Sequence, residues 1–341
     1  QFVDGKPLLI DTLSFEIYEP GKPWVAYKQF CQHFLAPLAL MAQEDVRLSQ
    51  LLRVYIDGIP LDLASNLLGV KSRLKPSTAM HIHLHAKSQS KHAASASQKP
   101  EVATGKLSAQ GMKALISSLE SAVKAQKWHP KSLNTTWGDY YDEHSYSKAG
   151  FASKQTIVQD FLKRSKAKSV WDLGGNSGTF SRIAAELGMQ TMCFDDDVVA
   201  IEYNYLELKK SGEANLLPLV VDLTNPSSSI GWAHTERKSL AERGPADTIM
   251  ALALVHHLAI ANNLPLEDIA NYFARLGRHL IIEFVPKPDS MVKRLLASRE
   301  DIFPHYTEVG FEEAFKTRYK ILDKQKVIGS KRIMYLMRAK V

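Results

Sequence analysis

Short apolar runs alternate with amphipathic segments from residue 169 to the end of the chain. Runs of four to eight apolar residues indicate buried strands, whereas apolar residues at every third or fourth position indicate helices. The predicted strands are Ser169–Leu173, Thr191–Phe194, Leu216–Val221, Thr248–Leu252, His279–Phe284, Tyr319–Val327 and Arg332–Met337. The predicted helices are Thr179–Leu187, Val198–Lys210, Leu266–Leu276 and Asp289–Ser298. This alternation predicts an α/β fold with a mostly parallel, doubly wound sheet of seven strands, of which the last runs antiparallel.

The first 85 residues have a different pattern and are predicted to be mainly helical. Apolar residues recur at helical spacing between Ala26 and Ala42, and the short run Leu8–Ile10 is predicted to be a buried strand. Met80–His85 alternates apolar residues with three histidines, which is the period expected of a strand. This part of the chain is predicted to be a smaller unit appended to the sheet.

A segment rich in Ser, Ala and Lys separates the two patterns and is predicted to be a flexible linker. Helices are predicted at Ser108–Gln126 and Ser153–Lys163, on either side of the aromatic residues Trp137, Tyr140 and Tyr141, which either form a lid or pack in the core. The predicted organisation is an N-terminal unit at 1–85, a linker at 86–105, a helical cover or lid at 106–168, and a ligand-binding domain at 169–341.

Composition narrows the class of protein. The 341 residues are 45% hydrophobic and 23% charged, as in an ordinary globular protein, and 43 Lys+Arg against 36 Asp+Glu leave a net charge of +7. Residues 1–106 hold 12 Lys+Arg and 9 Asp+Glu, so the remainder is only slightly basic and argues weakly for a nucleic-acid partner. Two cysteines exclude a disulfide framework, and no apolar run approaches the roughly 20 residues of a membrane span. A cytoplasmic protein without a membrane partner is expected.

The segment Val170–Phe180, VWDLGGNSGTF, is the most informative stretch. An apolar strand ends in Asp172, and a turn with Gly174, Gly175 and Gly178 leads directly into a helix. Glycines let the backbone turn sharply and approach a ligand closely. In open α/β sheets ligands bind at the carboxyl ends of the strands, so this turn is predicted to hold one.

The spacing of the glycines decides which ligand fits. A dinucleotide site would read G-x-G-x-x-G and a phosphate loop would need G-K-[ST], and neither pattern is present. Asp172 before the turn suits a cationic group, such as the amino group of a methionine moiety, better than a phosphate. Asp195, about 20 residues beyond the glycines, is placed to accept hydrogen bonds from ribose hydroxyls. Asp222, after the third strand, can accept one from an adenine amino group.

The successive motifs DLGGNSG, FDDD, VVDL and ADTIMALALVHHL resemble the nucleoside-binding motifs of class I S-adenosylmethionine-dependent methyltransferases. The resemblance extends from Ser169 to the end, and the whole chain is similar to a group of bacterial methyltransferase-like proteins, some labelled nodulation proteins. It implies a Rossmann-like sheet of order 3-2-1-4-5-7-6, S-adenosyl-L-methionine as cofactor and S-adenosyl-L-homocysteine as product. The implied cofactor-binding residues are Asp172, Gly174, Gly175, Asn176, Gly178, Asp195, Asp196, Asp222, Leu223 and Ala251.

The candidate catalytic residues follow the fourth and fifth strands. His256 and His257 lie where an acceptor should bind and could act as a general base, or one of them could instead pack against the next helix. Glu283 could orient an amine or hydroxyl, or be a solvated acid at a strand end. His81 and His83 would share one face of a strand, but no acid or thiol nearby completes a ligand set, so no metal site is predicted.

Three functions remain open at this point. Methyl transfer to a small-molecule acceptor is favoured, because the sequence HHL after the fourth strand is similar to small-molecule methyltransferases. A nucleic-acid methyltransferase would suit the basic charge, but enzymes that modify base amino groups usually carry N/D-P-P-Y/F after the fourth strand, where this chain has Ala251–Leu254. The third function is a non-catalytic, cofactor-binding scaffold. The oligomeric state is not predicted.

Overall fold

The computed structural model describes residues 2–3, 6–9, 13, 15–88, 108–130 and 146–340. Two compact units are present: a helical unit, Leu9–Lys131, and a sheet unit that combines Gln1–Leu8 with Ser132–Val341. Most of the predicted linker and the aromatic residues Trp137, Tyr140 and Tyr141 lie outside the described residues. Each unit has its own hydrophobic core.

The sheet unit contains a seven-stranded sheet and, near the start of the chain, a two-stranded antiparallel hairpin. The strands are β1 (Phe2–Val3), β2 (Lys6–Pro7), β3 (Ser169–Leu173), β4 (Gln190–Asp195), β5 (Leu216–Val220), β6 (Ala246–Ala251), β7 (Gly277–Phe284), β8 (Tyr319–Lys326) and β9 (Ile333–Ala339). The large sheet has the order β5-β4-β3-β6-β7-β9-β8, which is 3-2-1-4-5-7-6 in chain order, and β9 pairs antiparallel with both neighbours. The predicted topology is confirmed.

Both faces of the large sheet are covered, as expected of a doubly wound fold. In β6, Ile249 and Ala251 pack in one hydrophobic cluster, whereas Met250 packs in the cluster on the opposite face. The described helices of this unit are α7 (Lys148–Ser165), α8 (Thr179–Glu186), α9 (Val198–Ser211), α10 (Leu240–Arg243), α11 (Leu266–Leu276), α12 (Ser290–Leu296) and α13 (Glu308–Lys316). Helix α13 was not among the predicted helices.

The helical unit is built from short helices around Cys31, Leu35, Leu40, Ile59 and Ile82. Its α-helices are α1 (Tyr27–Phe30), α2 (Ala36–Gln43), α3 (Leu51–Val54), α4 (Leu61–Leu67), α5 (Pro76–Thr78) and α6 (Ala109–Lys124). A π-helical turn, Cys31–Leu35, joins α1 to α2. Leu119 and Ala122 of α6 belong to this core, so the predicted cover segment 106–168 divides, with α6 in the helical unit and α7 in the sheet unit.

Two strands predicted in this part of the chain are wrong. Leu8 and Leu9 lie outside any strand and are 55% and 67% exposed, although Ile10 of the same run is outside the described residues. Ala79–Leu84 is a π-helical turn that continues from α5. The period of two was misleading because the segment buries His81 and Ile82 and leaves Met80 and Leu84 51% and 62% exposed, so its apolar residues do not share one buried face. No described helix is long and apolar enough to cross a bilayer.

Candidate active site

A cavity of about 250 Å³ opens at the carboxyl ends of the parallel strands β3, β4, β5 and β6. Parallel strands bring the residues that follow them to one edge of the sheet, which is why segments far apart in sequence meet there. Nine of the predicted site residues line this cavity: Asp172, Gly174, Gly175, Asn176, Asp195, Asp196, Asp222, Leu223 and His257.

The glycine turn between β3 and α8 has little room for side chains. Gly174 has φ +72°, and a Cβ on Gly175 would lie 2.5 Å from the Cys193 Sγ of β4 and 2.9 Å from Asp172 Oδ2. Gly178 has φ +82°, and its Cβ would lie 2.3 Å from the Asn204 amide nitrogen. Glycine is therefore required at 175 by close approach and at 178 by both approach and backbone conformation.

Every backbone N–H of the turn already donates within the protein. Gly174 and Gly175 donate to the Phe194 carbonyl oxygen, at 2.8 and 3.0 Å, and Gly178 donates to the Gly175 carbonyl oxygen at 2.9 Å. The N–H of Asn176 donates to Asp195 Oδ2 at 2.8 Å, and the Ser177 N–H donates to the Asn176 side chain at 2.7 Å. A phosphate-binding turn works by directing free N–H groups at the anion. This turn instead presents acids and close backbone, which suits cationic and hydroxyl groups.

Asp172 is the acid nearest the turn and is almost fully buried, with 1% of its surface exposed. Its Oδ2 accepts a hydrogen bond from the Ser181 hydroxyl at 2.6 Å. Burial raises the pKa of Asp172 to about 6, while the Ser181 hydrogen bond and the charge of Lys154 oppose that rise. A cation in the cavity would favour the carboxylate and replace the solvation that burial removes.

Asp195 lies at the end of β4, and each of its carboxylate oxygens accepts a hydrogen bond from a backbone N–H. Its Oδ2 accepts from Asn176 N–H and its Oδ1 from Asp197 N–H, at 2.8 and 3.0 Å. Burial raises its pKa to about 7 in spite of these two hydrogen bonds. Because each carboxylate oxygen has two lone pairs, both can accept a further hydrogen bond from a diol. Asp196, beside it, is exposed at the cavity rim.

Of the remaining predicted cofactor-binding residues, two line the cavity and two do not. Asp222 is exposed, and its Oδ1 accepts from both the N–H and the hydroxyl of Thr224, while Leu223 is partly buried beside it. Gly178 and Ala251 do not line the cavity. Gly178 caps α8 and Ala251 is buried at the end of β6, so both act through the shape of the backbone.

The three candidate catalytic residues differ in their access to the cavity. Only His257 lines the cavity, and its ring centroid lies 4.1 Å from that of His256. Burial, followed by the charge of Arg332, lowers the pKa of His257 to about 4. His256 is fully buried behind it, and neither of its ring nitrogens has a hydrogen-bond partner among the described residues. Burial also lowers the pKa of His256 far below its ordinary value, so both rings are neutral near pH 7.

Glu283 is fully buried in β7 and is part of a network of charged groups. It accepts hydrogen bonds from the Tyr146 hydroxyl and the Lys154 ammonium, the latter at 2.7 Å, and its Oε1 lies 3.6 Å from Arg332 Nη1. The backbone N–H of Ala253 also hydrogen-bonds to it. Burial nevertheless raises the pKa of Glu283 to about 7. The sequence-based alternative of a solvated strand-end acid does not describe this residue.

Sequence reasoning missed Lys154 of α7, which lines the cavity next to Phe180. Lys154 is 3% exposed, and its ammonium lies 4.6 Å from the Phe180 ring centroid. A signal was present in the sequence: Lys154 falls on the apolar face of α7, in register with Ile157, Val158 and Phe161. A single cation within an apolar stripe is costly to bury and indicates a specific partner.

The cavity fits S-adenosyl-L-methionine, the cofactor implied by the sequence motifs. Its acids line the carboxyl ends of three neighbouring strands, at Asp172, Asp195 and Asp222. The backbone of the turn packs so closely against Cys193 and Asp172 that Gly175 could not carry a side chain. Among the described residues no group of histidines, cysteines and acids is arranged to hold a metal ion.

Comparison of sequences finds one informative relative. The chain is 34% identical over 341 residues to the nodulation protein NoeA of Rhizobium meliloti strain 1021, in an alignment that covers 98% of this chain and 70% of that protein. No protein-family profile matches the chain.

Three solved structures have folds similar to part of this chain. They include magnesium protoporphyrin IX methyltransferase from Synechocystis PCC 6803 with bound S-adenosylhomocysteine (15% identity, TM-score 0.42, 61% of this chain and 96% of that one). The N-methyltransferase NodS from Bradyrhizobium japonicum WM9 aligns at 10% identity and TM-score 0.41, over 57% of this chain and 99% of that one. WbdD aligns at 17% identity and TM-score 0.39, over 62% of this chain, which spans only 45% of WbdD.

Proposed function

The chain belongs to the family of the nodulation protein NoeA, and from that premise we propose that it transfers the methyl group of S-adenosyl-L-methionine to a small-molecule acceptor. The observation that carries the proposal is the glycine turn, whose N–H groups are all used internally while Asp172 and Asp195 line the cavity beside it.

Residues at the ends of three strands each bind a different part of the cofactor. Asp172 binds the amino group of the methionine end, Asp195 accepts hydrogen bonds from the ribose hydroxyls, and Asp222 with Leu223 flanks the adenine. S-adenosylmethionine, when bound, supplies a methyl group already activated on a sulfonium. The protein therefore has mainly to exclude water and to align the acceptor with that methyl group.

His257 is the residue placed to orient the acceptor. It lies at the cavity wall with Leu254, Leu258 and Asn262, all in the segment that follows β6. Because its pKa is lowered to about 4, the neutral ring can accept a hydrogen bond from an acceptor O–H or N–H. It is a weak base, so it positions the nucleophile and takes the proton only as the methyl group is transferred. The His256 ring packs against that of His257, and Glu283 hydrogen-bonds to Lys154 and to the backbone of Ala253, which both line the cavity.

The acceptor side of the cavity favours a small molecule. Its walls are largely apolar, with Leu252, Leu254, Leu258 and Ala261 next to the two polar side chains His257 and Asn262. A mostly apolar pocket with few polar groups is typical of small-molecule sites. The slight positive charge of residues 107–341 gives nucleic acid little attraction by comparison.

The proposal is tested with tritium-labelled S-adenosylmethionine and an extract of the source cells, separated into a small-molecule filtrate and a macromolecular fraction. We expect labelled methyl groups in the filtrate. The matched control is the Asp195→Ala variant, which should give no label. A second aliquot of the macromolecular fraction is treated with nuclease.

Label that is found only in the macromolecular fraction and is released by nuclease would replace the small-molecule acceptor with nucleic acid. Binding of S-adenosylhomocysteine without any transfer, over the full range of fractions, would favour the scaffold function. Failure to bind either S-adenosylmethionine or S-adenosylhomocysteine would contradict the methyltransferase function altogether.

A further inference from the structure

The helical unit leaves apolar side chains exposed on a short turn of helix. The 3₁₀-helical turn Val70–Leu74 buries Ser72, and its other four residues are exposed. Val70 is 77% exposed and Leu74 is 83% exposed. Because residues three apart lie above one another in a 3₁₀-helix, Val70 lies beside Arg73 and Lys71 lies beside Leu74. The outer face of this turn therefore combines apolar and cationic side chains.

A second exposed apolar pair lies on a neighbouring segment. Met80 and Leu84 are about one turn apart in the π-helical segment Ala79–Leu84, and both are exposed. His83 of this segment hydrogen-bonds to the Ser72 hydroxyl at 2.7 Å, which fixes the segment against the 3₁₀-helical turn. We name the exposed face of these two segments the basic apolar surface, and it comprises Val70, Lys71, Arg73, Leu74, Met80 and Leu84.

The part of the chain that forms this surface is positively charged. Residues 63–88 contain no Asp or Glu but four exposed cations: Lys71, Arg73, Lys75 and Lys87. Glu44 brings a carboxylate to the edge of this stretch, where it accepts a hydrogen bond from the Gly69 N–H at 2.7 Å. Four cations against this acid leave the surface with a positive charge.

The combination of apolar and cationic groups selects the occupant. A second copy of the chain would bring cations against cations, which opposes self-association at this surface. A bilayer with anionic lipids matches both parts, because its interfacial region accepts apolar side chains and its headgroups attract lysine and arginine. The long stems of Lys71 and Arg73 can lie along apolar neighbours while their charged ends meet the headgroups.

We propose that the basic apolar surface docks the protein on membranes that contain anionic lipids, with its four apolar side chains in the headgroup region and its cations against the lipid phosphates. Such a contact lies in the plane of the interface and requires no spanning helix. The sequence-based expectation of no membrane partner rests on the lack of a spanning run, which this contact does not use. The proposal does not rest on methyl transfer, since the surface includes no residue that lines the cavity.

Co-sedimentation of the full chain with vesicles tests the proposal. One set of vesicles is phosphatidylcholine alone, and the other contains equal parts of phosphatidylcholine and phosphatidylglycerol. We expect binding to the anionic vesicles only, and its loss at high salt, which screens the headgroup charge. Leu74→Gln should weaken this binding about tenfold, because it removes one inserted apolar side chain. Lys71→Gln combined with Arg73→Gln should weaken it about 10- to 30-fold.

Matched controls lie on α9 of the sheet unit, which carries the same kinds of exposed residue. Leu206→Gln replaces an exposed leucine, and Lys209→Gln combined with Lys210→Gln removes two exposed cations. Both control proteins should bind the anionic vesicles as the wild type does. Thermal unfolding followed by circular dichroism establishes that each variant is folded.

The proposal is overturned if the wild-type protein does not bind the anionic vesicles, or binds both vesicle compositions equally. It is also overturned if the variants of the basic apolar surface bind as tightly as the wild type, or if the α9 variants lose as much affinity as they do. A wild-type dimer that Leu74→Gln dissociates in sedimentation velocity, without vesicle binding, would assign the surface to a second copy of the chain instead.

Discussion

Each of the two units contains a cluster of polar side chains, and the clusters differ in the hydrogen-bond partners of their members. In the helical unit His81 hydrogen-bonds to the Tyr27 and Ser118 hydroxyls, at 2.8 and 2.9 Å. His83 bonds in the same way to Ser65 and Ser72, both at 2.7 Å. In the sheet unit, by contrast, Lys154 lines a cavity, and among the described residues it donates a hydrogen bond only to Glu283.

The difference shows that a conspicuous sequence pattern is a poor guide to function by itself. The three histidines at period two are the more conspicuous pattern in the sequence, but neutral hydroxyls satisfy both nitrogens of His81 and of His83. Burial lowers the pKa of both histidines, so they are neutral members of a core. Lys154, inconspicuous in the sequence, belongs to the cavity. We expect cofactor binding to reside in the sheet unit alone.

The largest effect is expected for Gly175→Ala. The new Cβ would lie 2.5 Å from Cys193 Sγ in a strand of the core, so the turn must move. We expect a loss of about 3 kcal/mol in the free energy of unfolding and at least a 100-fold loss of affinity for S-adenosylhomocysteine. Chemical denaturation and calorimetry measure the two quantities.

Gly188→Ala is the control for a glycine replaced without a clash, because a Cβ at Gly188, where φ is +80°, would meet nothing within 4 Å. It should cost about 1 kcal/mol and leave the affinity intact. Full affinity in the Gly175→Ala variant would show that the turn does not form the binding surface.

The turn, the acids and the strand order could be predicted from the sequence because each depends on local patterns at strand ends. Asp172 and Asp195 are both within a few residues of the strands that place them. The Lys154–Glu283 pair could not be predicted, since 129 residues separate its members and only the packing of α7 on the sheet brings them together. The strand predicted at Met80–His85 was wrong because the segment buries the adjacent residues His81 and Ile82 rather than alternate residues.

An intermediate effect is expected for His81→Leu in the helical unit. The change leaves the Tyr27 and Ser118 hydroxyls without their partner and should lower the free energy of unfolding by about 2 kcal/mol. Affinity for S-adenosylhomocysteine should not change. His129→Leu, at an exposed position of the same unit, is the control and should alter neither quantity. A loss of binding in His81→Leu would show that cofactor binding also depends on the helical unit.

A smaller effect is expected from the titration of His257. Its pKa is about 4 in the folded protein, against an ordinary value of 6.5, so only the unfolded chain takes up this proton between those pH values. The stability that His257 contributes is therefore present above pH 6.5 and is lost as the pH falls through 4. The difference in unfolding free energy between wild type and His257→Gln should shrink by about 1–3 kcal/mol over that range. A difference that is constant with pH would contradict the buried, neutral state of this ring.

The central claim is that the acids at the carboxyl ends of the strands bind the nucleoside of S-adenosylmethionine. The most direct measurement is calorimetric titration of S-adenosylhomocysteine into the wild-type protein, Asp195→Ala and Asp247→Ala. Asp247 also accepts two backbone N–H groups, at 3.0 and 3.1 Å, but at the opposite edge of the sheet. We predict binding to the wild type, at least a tenfold loss in Asp195→Ala, and unchanged affinity in Asp247→Ala. No binding to the wild-type protein, or equal affinity in wild type and Asp195→Ala, would contradict the claim.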